Sequence, residues 1–246
     1  MAVTETMARL GHSLINDRAP NGKAYWAGRF WDRDSAERHP VLGAEFLKQK
    51  DTIADYLDRY GQDAESSIEF ACGTGEFTRL TAEHTPVHQM RAIDISAQGL
   101  EMARGRVKHD NISFHQGDFW TEHDFEPADL VLCIDAIHHL GNIGDVLRHL
   151  HKWVKPGGIF IGNLFTGDNF HEFERKRYGN LSHTWQTTQF LGTAVMIKLS
   201  GGKLYTGSHR TQLLPTAQSE QLVRDVFSEV LEVSRDPYFT AFVARA

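Results

Sequence analysis

Glu69, Gly73, Gly75, Asp94 and Asp118 are the residues whose types and spacing most directly point to chemistry. Glu69 opens the stretch Glu-Phe-Ala-Cys-Gly-Thr-Gly, which closes a short apolar run, 67–71, and leads into a helix-like segment, Glu76 to Ala82. A glycine-rich turn between strand and helix lets a ligand approach backbone N–H groups at the positive end of the helix. The acid narrows what that ligand is. A pyrophosphate would meet a carboxylate there, whereas a ligand bearing an ammonium group would be drawn to it. Asp94 follows the glycines by roughly twenty residues, at a strand end where a carboxylate can hold both hydroxyls of a ribose. Gly117-Asp118-Phe119 follow a further apolar run, where an acid can accept from an adenine amino group and a ring can flank the base.

S-adenosylmethionine (SAM) carries an ammonium group, a sulfonium and a carboxylate on a nucleoside, so it suits both the acid and the helix end. Glu69 therefore tilts the reading from dinucleotide binding towards methyl transfer. Each residue also has a plainer role open to it. Glu69 could be a solvated acid, Asp94 a helix N-terminal acid favoured by the macrodipole, Asp118 a turn cap and Phe119 a core ring.

These residues need a scaffold that brings strand ends together. Apolar runs alternate with helical periodicity from about 66 to 165, the mark of a parallel sheet covered by helices. Strands are expected at 67–71, 90–94, 111–115, 128–134 and 158–164, with helices near 75–84, 96–107 and 143–153. Ser96 is placed to cap the second of these helices. Pro156-Gly157-Gly158 reads as a tight turn into the fifth strand. Upstream, Val41 to Tyr60 is helical in period, behind an aromatic stretch from Tyr25 to Trp31. Downstream, helices at 168–178 and 183–199 are broken by Gly179-Asn180 and Gly201-Gly202. A helix at 216–227 and two strands, 229–235 and 238–245, linked by Arg235-Asp236-Pro237 as a hairpin, complete the pattern.

The chain has 246 residues, which fits one large α/β domain or a domain with an inserted cap. No stretch approaches the roughly 18 apolar residues of a membrane span, and the start lacks the regions of a signal peptide. Cys72 and Cys133 are expected as free core thiols, Cys72 packed and not nucleophilic, and a cytoplasmic location follows. A formal net charge of −6 gives no overall attraction to nucleic acid. Fourteen histidines lack metal-ligand spacing and are expected mostly at the surface; no metal site is anticipated.

As a set, the Ala-Cys-Gly-Thr-Gly turn, the acid after the second strand and the Gly-Asp after the third closely resemble the class I SAM-dependent methyltransferases, small-molecule group (type 11/12-like). The resemblance covers about 64–165 firmly and the C-terminal helix and strands more loosely. It implies a doubly wound, seven-stranded, mostly parallel sheet with an antiparallel last strand, a Rossmann-like methyltransferase fold. N-terminal helices (1–62), a SAM-binding core (63–165), an inserted helical cap (166–214) and a closing helix with hairpin (215–246) would follow. It implies that Glu69, Ala71, Gly73 and Gly75 border the methionyl part, that Asp94 and Ile95 hold ribose and adenine, and that Asp118 and Phe119 meet the adenine edge. Ile134 would offer a backbone carbonyl to the ammonium group. At Ala71 many members carry glycine.

Methyl transfer is an in-line displacement, so the protein must align the nucleophile with the departing sulfur and exclude water. A nucleophile that bears a proton also gains from a base. His138 and His139 follow the fourth strand, at the methyl-proximal wall, where each either acts as base or packs and orients. Tyr25 and Trp31 either close over the cofactor or anchor the N-terminal helix. In the cap, Phe170, Tyr178 and Trp185 are the candidate substrate wall, and Glu174-Arg-Lys-Arg177 is either a solvated face or a clamp for an acidic substrate. The end of the fourth strand lacks Asn/Asp-Pro-Pro-Tyr/Phe and no basic tail is visible, so the expected partner is a small metabolite methylated on oxygen or nitrogen, in secondary metabolism. The oligomeric state is open. Two other readings stand beside this one: a SAM-fold binding subunit, and a nicotinamide-dependent oxidoreductase.

Overall fold

Strands form where β-branched and aliphatic runs end at turns, and among the described residues they pair into one sheet. These are β1 (Ser66–Phe70), β2 (Gln89–Asp94), β3 (Ile112–Gln116), β4 (Ala128–Cys133), β5 (Val154–Leu164), β6 (Glu229–Arg235) and β7 (Thr240–Arg245). The computed structural model describes residues 3–15, 23–121, 124–168, 170–204, 211–236 and 239–246. The strand order is β3-β2-β1-β4-β5-β7-β6. The first five strands run parallel, and β7 lies antiparallel between β5 and β6. The doubly wound sheet with a reversed last strand is thus as the sequence implies.

Alternation along β4 shows how both faces are covered. Val131 and Cys133 join the core beneath α7 (Ile143–His151) and α10 (Thr216–Val226), with Val146, Leu147, Leu150 and Val223. Leu130 and Leu132 face the other way, towards α4 (Leu42–Tyr60) and α5 (Glu76–His84), with Phe46, Ile53, Leu57 and Phe77. Strands buried on both faces read as continuous apolar runs, which is why the sequence marked them clearly. Ser96 caps α6 (Ala97–Arg106), its Oγ accepting from the Gly99 N–H at 3.1 Å.

Some boundaries shift. β5 begins at Val154, so Pro156-Gly157-Gly158 lies inside the strand instead of before it. Opposite β4 the register jumps from Ala128↔Val154 to Leu130↔Ile159, and Gly157 takes a left-handed φ of 78° that forms the irregularity. The hairpin loop does form between β6 and β7, with the Asp236 N–H on the Phe239 carbonyl; Pro237 and Tyr238 lie outside the described residues. α8 (Phe170–Tyr178) and α9 (Asn180–Leu199) meet at Gly179, whose φ of 80° permits the break, and α9 starts three residues earlier than its period indicates. The N-terminal helices that the resemblance implies include, besides α4, three whose bounds no local period marks: α1 (Val3–Ile15), α2 (Lys23–Trp26) and α3 (Arg33–Glu37). α1 packs along α9 and the other two are only one turn long.

Histidines also depart from expectation. His138, His149, His171 and His183 are buried, and burial holds His171 down at about 4. Both cysteines are free and buried as anticipated, and burial pushes their thiols up.

Candidate active site

The carboxyl ends of β1 and β4 part where the strand order reverses, and a cavity of about 370 Å³ opens there. The turn after β1 forms its floor. Ala71 has φ 57° and Gly73 φ 55°, so the backbone is left-handed at these two positions of the turn. Ala71 takes this conformation at a steric cost of roughly 1–2 kcal/mol relative to right-handed backbone. A Cβ on Gly73 would meet nothing within 4 Å, so what the position needs is its conformation, which aims its N–H at Asp94. Gly75 differs. It does not line the cavity; its Cβ would come within 2.9 Å of Ala103 on α6, so this glycine serves helix packing and the start of α5.

Glu69 ends β1 nearly buried, at 2% exposure, and lines the cavity. The Thr78 hydroxyl donates to Oε2. Burial pushes the carboxyl up to about 8; the Thr78 bond opposes this and the charges of Asp94 and Glu76 add to it. A buried acid of this kind with one oxygen uncommitted to a hydroxyl fits a cationic group.

Asp94 ends β2 with both oxygens engaged by backbone. The Gly73 N–H reaches Oδ2 and the Ser96 N–H reaches Oδ1, each at 2.8 Å. Burial raises its pKa, and the bonds from Ser96 and Gly73 oppose that rise. Each carboxylate oxygen accepts more than one bond, so the pair remains able to take two hydroxyls. Asp118 forms an ion pair with Lys23 of α2, and Phe119 stands edge-on to Phe70 with centroids 5.5 Å apart. Ile95, Asp118, Phe119 and Ile134 all line the cavity.

The N-terminal segment supplies the roof. Tyr25 and Trp31 line the cavity, with Tyr25 against Trp26 and beneath the Arg29 guanidinium at 4.2 Å. At the far end His139, Leu140, Phe165, Phe170, Arg177 and Thr211 close the space. His139 Nδ1 lies 3.1 Å from the Thr211 hydroxyl, and its ring sits 5.6 Å from Trp26.

Besides Gly75, three sequence candidates stand elsewhere. His138 is fully buried behind the wall, stacked 4.1 Å from Phe165, with its Nδ1 accepting from the Phe165 N–H. Burial, reinforced by His139, holds it well below the usual histidine range, so it is neutral and does not face the cavity. Tyr178 and Trp185 are 40% and 65% exposed and do not line it. Phe170 alone of the three proposed substrate residues does.

A polar latch that joins roof to floor has no local mark in the sequence. Asp135, just past β4, has φ 56° and lines the cavity. Arg33 donates to it at 2.9 Å, Gln49 at 2.6 Å and Asn163 at 2.9 Å. The Arg33 guanidinium is 4% exposed and lies between the Phe46 and Phe77 rings, 4.8 and 4.7 Å from their centroids. These partners are 28 to 102 residues away from Asp135 in the chain, and such pairing leaves no local pattern. Removing one partner of a buried pair costs about 3–5 kcal/mol. For a chain of this size Arg33→Ala is therefore expected to lower Tm by roughly 6–20 °C. Differential scanning calorimetry checks this, and a shift under about 2 °C would dismiss the latch as a stabilising element.

Comparison with known proteins adds to this geometry. A family model of the methyltransferase domain matches residues 68–160, from β1 into β5. The malonyl-[acyl-carrier protein] O-methyltransferase of Halalkalibacterium halodurans is 28% identical over 160 residues, 58% of this chain and 59% of that protein. Its counterpart from Priestia megaterium is 27% identical over 105 residues, 43% of this chain and 38% of that protein. The chain thus spans less than two thirds of the length of these curated relatives. The N-methyltransferase NodS from Bradyrhizobium japonicum WM9, solved with S-adenosyl-L-homocysteine, aligns with a TM-score of 0.56 at 13% identity, covering 86% of this chain and 95% of that one. A chain from the Haloferax volcanii complex of the Trm112 methyltransferase activator with a putative methyltransferase aligns at 0.59 and 17% identity, covering 84% and 93%. At such identities the likeness is one of fold. Residues 68–160 thus match a methyltransferase domain, within a fold shared with these solved structures.

Proposed function

We propose that this chain binds SAM along the β1–β4 crevice and transfers its methyl group to an oxygen or nitrogen of a small acceptor held under α8. The observation that carries this reading is one continuous cavity. It joins three strand-end acids, Glu69, Asp94 and Asp118, to an aromatic end containing Trp26, His139, Phe165 and Phe170. When bound, the cofactor supplies an electrophilic methyl on a positively charged sulfur. The chain's part is to bind and align. Glu69 pairs with the ammonium group, Asp94 grips the ribose, Asp118 and Phe119 take the adenine edge, and the roof excludes water.

The acceptor end carries Arg177 in its wall, and the buried Trp26 Nε1–H has no hydrogen-bond partner among the described residues. An indole N–H of this kind needs an acceptor, which favours a substrate with a carbonyl or carboxylate oxygen. The relatives named for O-methylation of a malonyl group point the same way. If the acceptor is a hydroxyl or an ammonium, His139 is the side chain placed to take its proton.

Calorimetric titration with SAM and S-adenosylhomocysteine, followed by measurement of S-adenosylhomocysteine release with an acceptor panel, tests the proposal. Uptake of neither nucleoside by folded protein would overturn it. A SAM-binding subunit without transfer would take up both and turn over with no acceptor. His139→Ala is expected to lower turnover about 100-fold, the lower range for general-base catalysis, with cofactor affinity changed less than about twofold. Equal losses in both would assign His139 a structural role.

A further inference from the structure

α9 has an inner face whose partners are visible. His183, Thr187, Ala194 and Ile197 are buried, and Phe190 sits where a Cβ on Gly11 of α1 would come within 2.6 Å of its ring. The outer face is unusual. Leu181 is 90% exposed, Trp185 65%, Met196 57% and Leu199 83%. Scattered exposed apolar residues need no explanation, but Leu181, Trp185 and Leu199 fall in one row, with Met196 at its edge. Leu181, Thr188 and Val195 are seven apart, and so are Trp185, Gly192 and Leu199. That is the alternating four-three spacing of a helix–helix seam. An outward helix face in a lone molecule normally carries charge, yet Lys198 is the single Asp, Glu, Lys or Arg of α9.

The row is also self-complementary. Laid antiparallel against a copy of itself about an axis at Phe190, Leu181 falls on Leu199, Trp185 on Val195 and Thr188 on Gly192. Bulky side chains meet at both ends, and the small pair at the centre allows the backbones to approach closely. A two-fold interface demands this property, because each patch must complement itself. Leu181, Trp185 and Leu199 in the row and Met196 beside it, at roughly 100–150 Å² apiece, supply much of the ~800 Å² per partner that a stable interface takes. Gln186, Gln189 and Lys198 flank them as a polar rim.

We infer that α9 pairs with α9 of a second copy of this chain, antiparallel, in a two-fold dimer. Trp185 belongs to this seam and not to the substrate wall. Sedimentation equilibrium at about 50 µM is expected to give a dimer, and Leu181→Glu with Leu199→Glu a monomer whose SAM affinity matches wild type. The orientation has its own test. Oxidation of a Leu181→Cys, Leu199→Cys double variant should yield a covalent dimer, while either single variant stays uncrosslinked; Cys72 and Cys133 are buried and do not interfere. A monomeric wild-type protein overturns the inference, as does one that stays monomeric but floats with anionic phosphatidylserine vesicles through the same leucines. Efficient crosslinking by a single-cysteine variant overturns the antiparallel arrangement.

Discussion

Replacing Asp94 by alanine is expected to weaken SAM binding by about two to three orders of magnitude. The carboxylate is pre-oriented by two backbone N–H groups, from Gly73 and Ser96, so nothing has to reorganise when a ligand arrives. A hydrogen bond to a charged group contributes about 1.5–3 kcal/mol, and two hydroxyls sharing one acid already engaged by two N–H groups, each near the lower end of that range, give roughly 3–4 kcal/mol in total. Each 1.4 kcal/mol is tenfold in affinity. Asp94→Asn should fall between, since its amide retains one acceptor oxygen. Isothermal titration of the three proteins, with thermal unfolding as a folding control, reads the series. A dissociation constant for Asp94→Ala within threefold of wild type would remove the ribose from this acid.

Binding is expected to be linked to protons through Glu69. Its carboxyl is pushed up to about 8 by burial, so at pH 6.5 it is mostly protonated in the free protein. An ammonium group favours the ionised form, so binding below pH 8 expels the proton. Affinity should then rise about tenfold per pH unit towards pH 8 and level off there. The sign for folding is opposite. The folded state keeps a proton that the unfolded chain releases above its ordinary 4.5, so the ligand-free protein loses stability as pH rises between about 4.5 and 8. Glu69→Gln should bind roughly 100-fold more weakly at pH 8, with a flat pH profile and no proton release. Calorimetry in two buffers of different ionisation enthalpy counts the protons. Zero release by wild type at pH 6.5 would separate Glu69 from the ammonium group.

What could be read in advance divides by range along the chain. The strand ends, the turn from Glu69 to Gly75 and the acid at 94 lie in local patterns whose period or spacing is itself the signal. The order of strands follows from their alternation with helices. Arg33, Gln49, Asp135 and Asn163 were invisible because no period links a latch assembled from four separate elements. Trp185 and Tyr178 were misplaced because an aromatic residue on a helix has no sequence mark for which way it faces. His138 and His139 are neighbours of the same type, yet one faces the cavity and the other is sealed behind Phe165. The short helical turn 137–139 decides that, and the sequence does not encode its phase.

The buried arginine between two phenylalanine rings has a consequence for anyone seeking to alter acceptor scope. Arg33 joins the first helices to the tip of the fourth strand, so enlarging the chamber from the α3–α4 side loosens the wall of the cavity itself. Room gained by trimming Phe170 or Arg177 draws on a different part of the molecule. Libraries confined to α8 should therefore change which molecules are accepted while leaving thermal robustness intact.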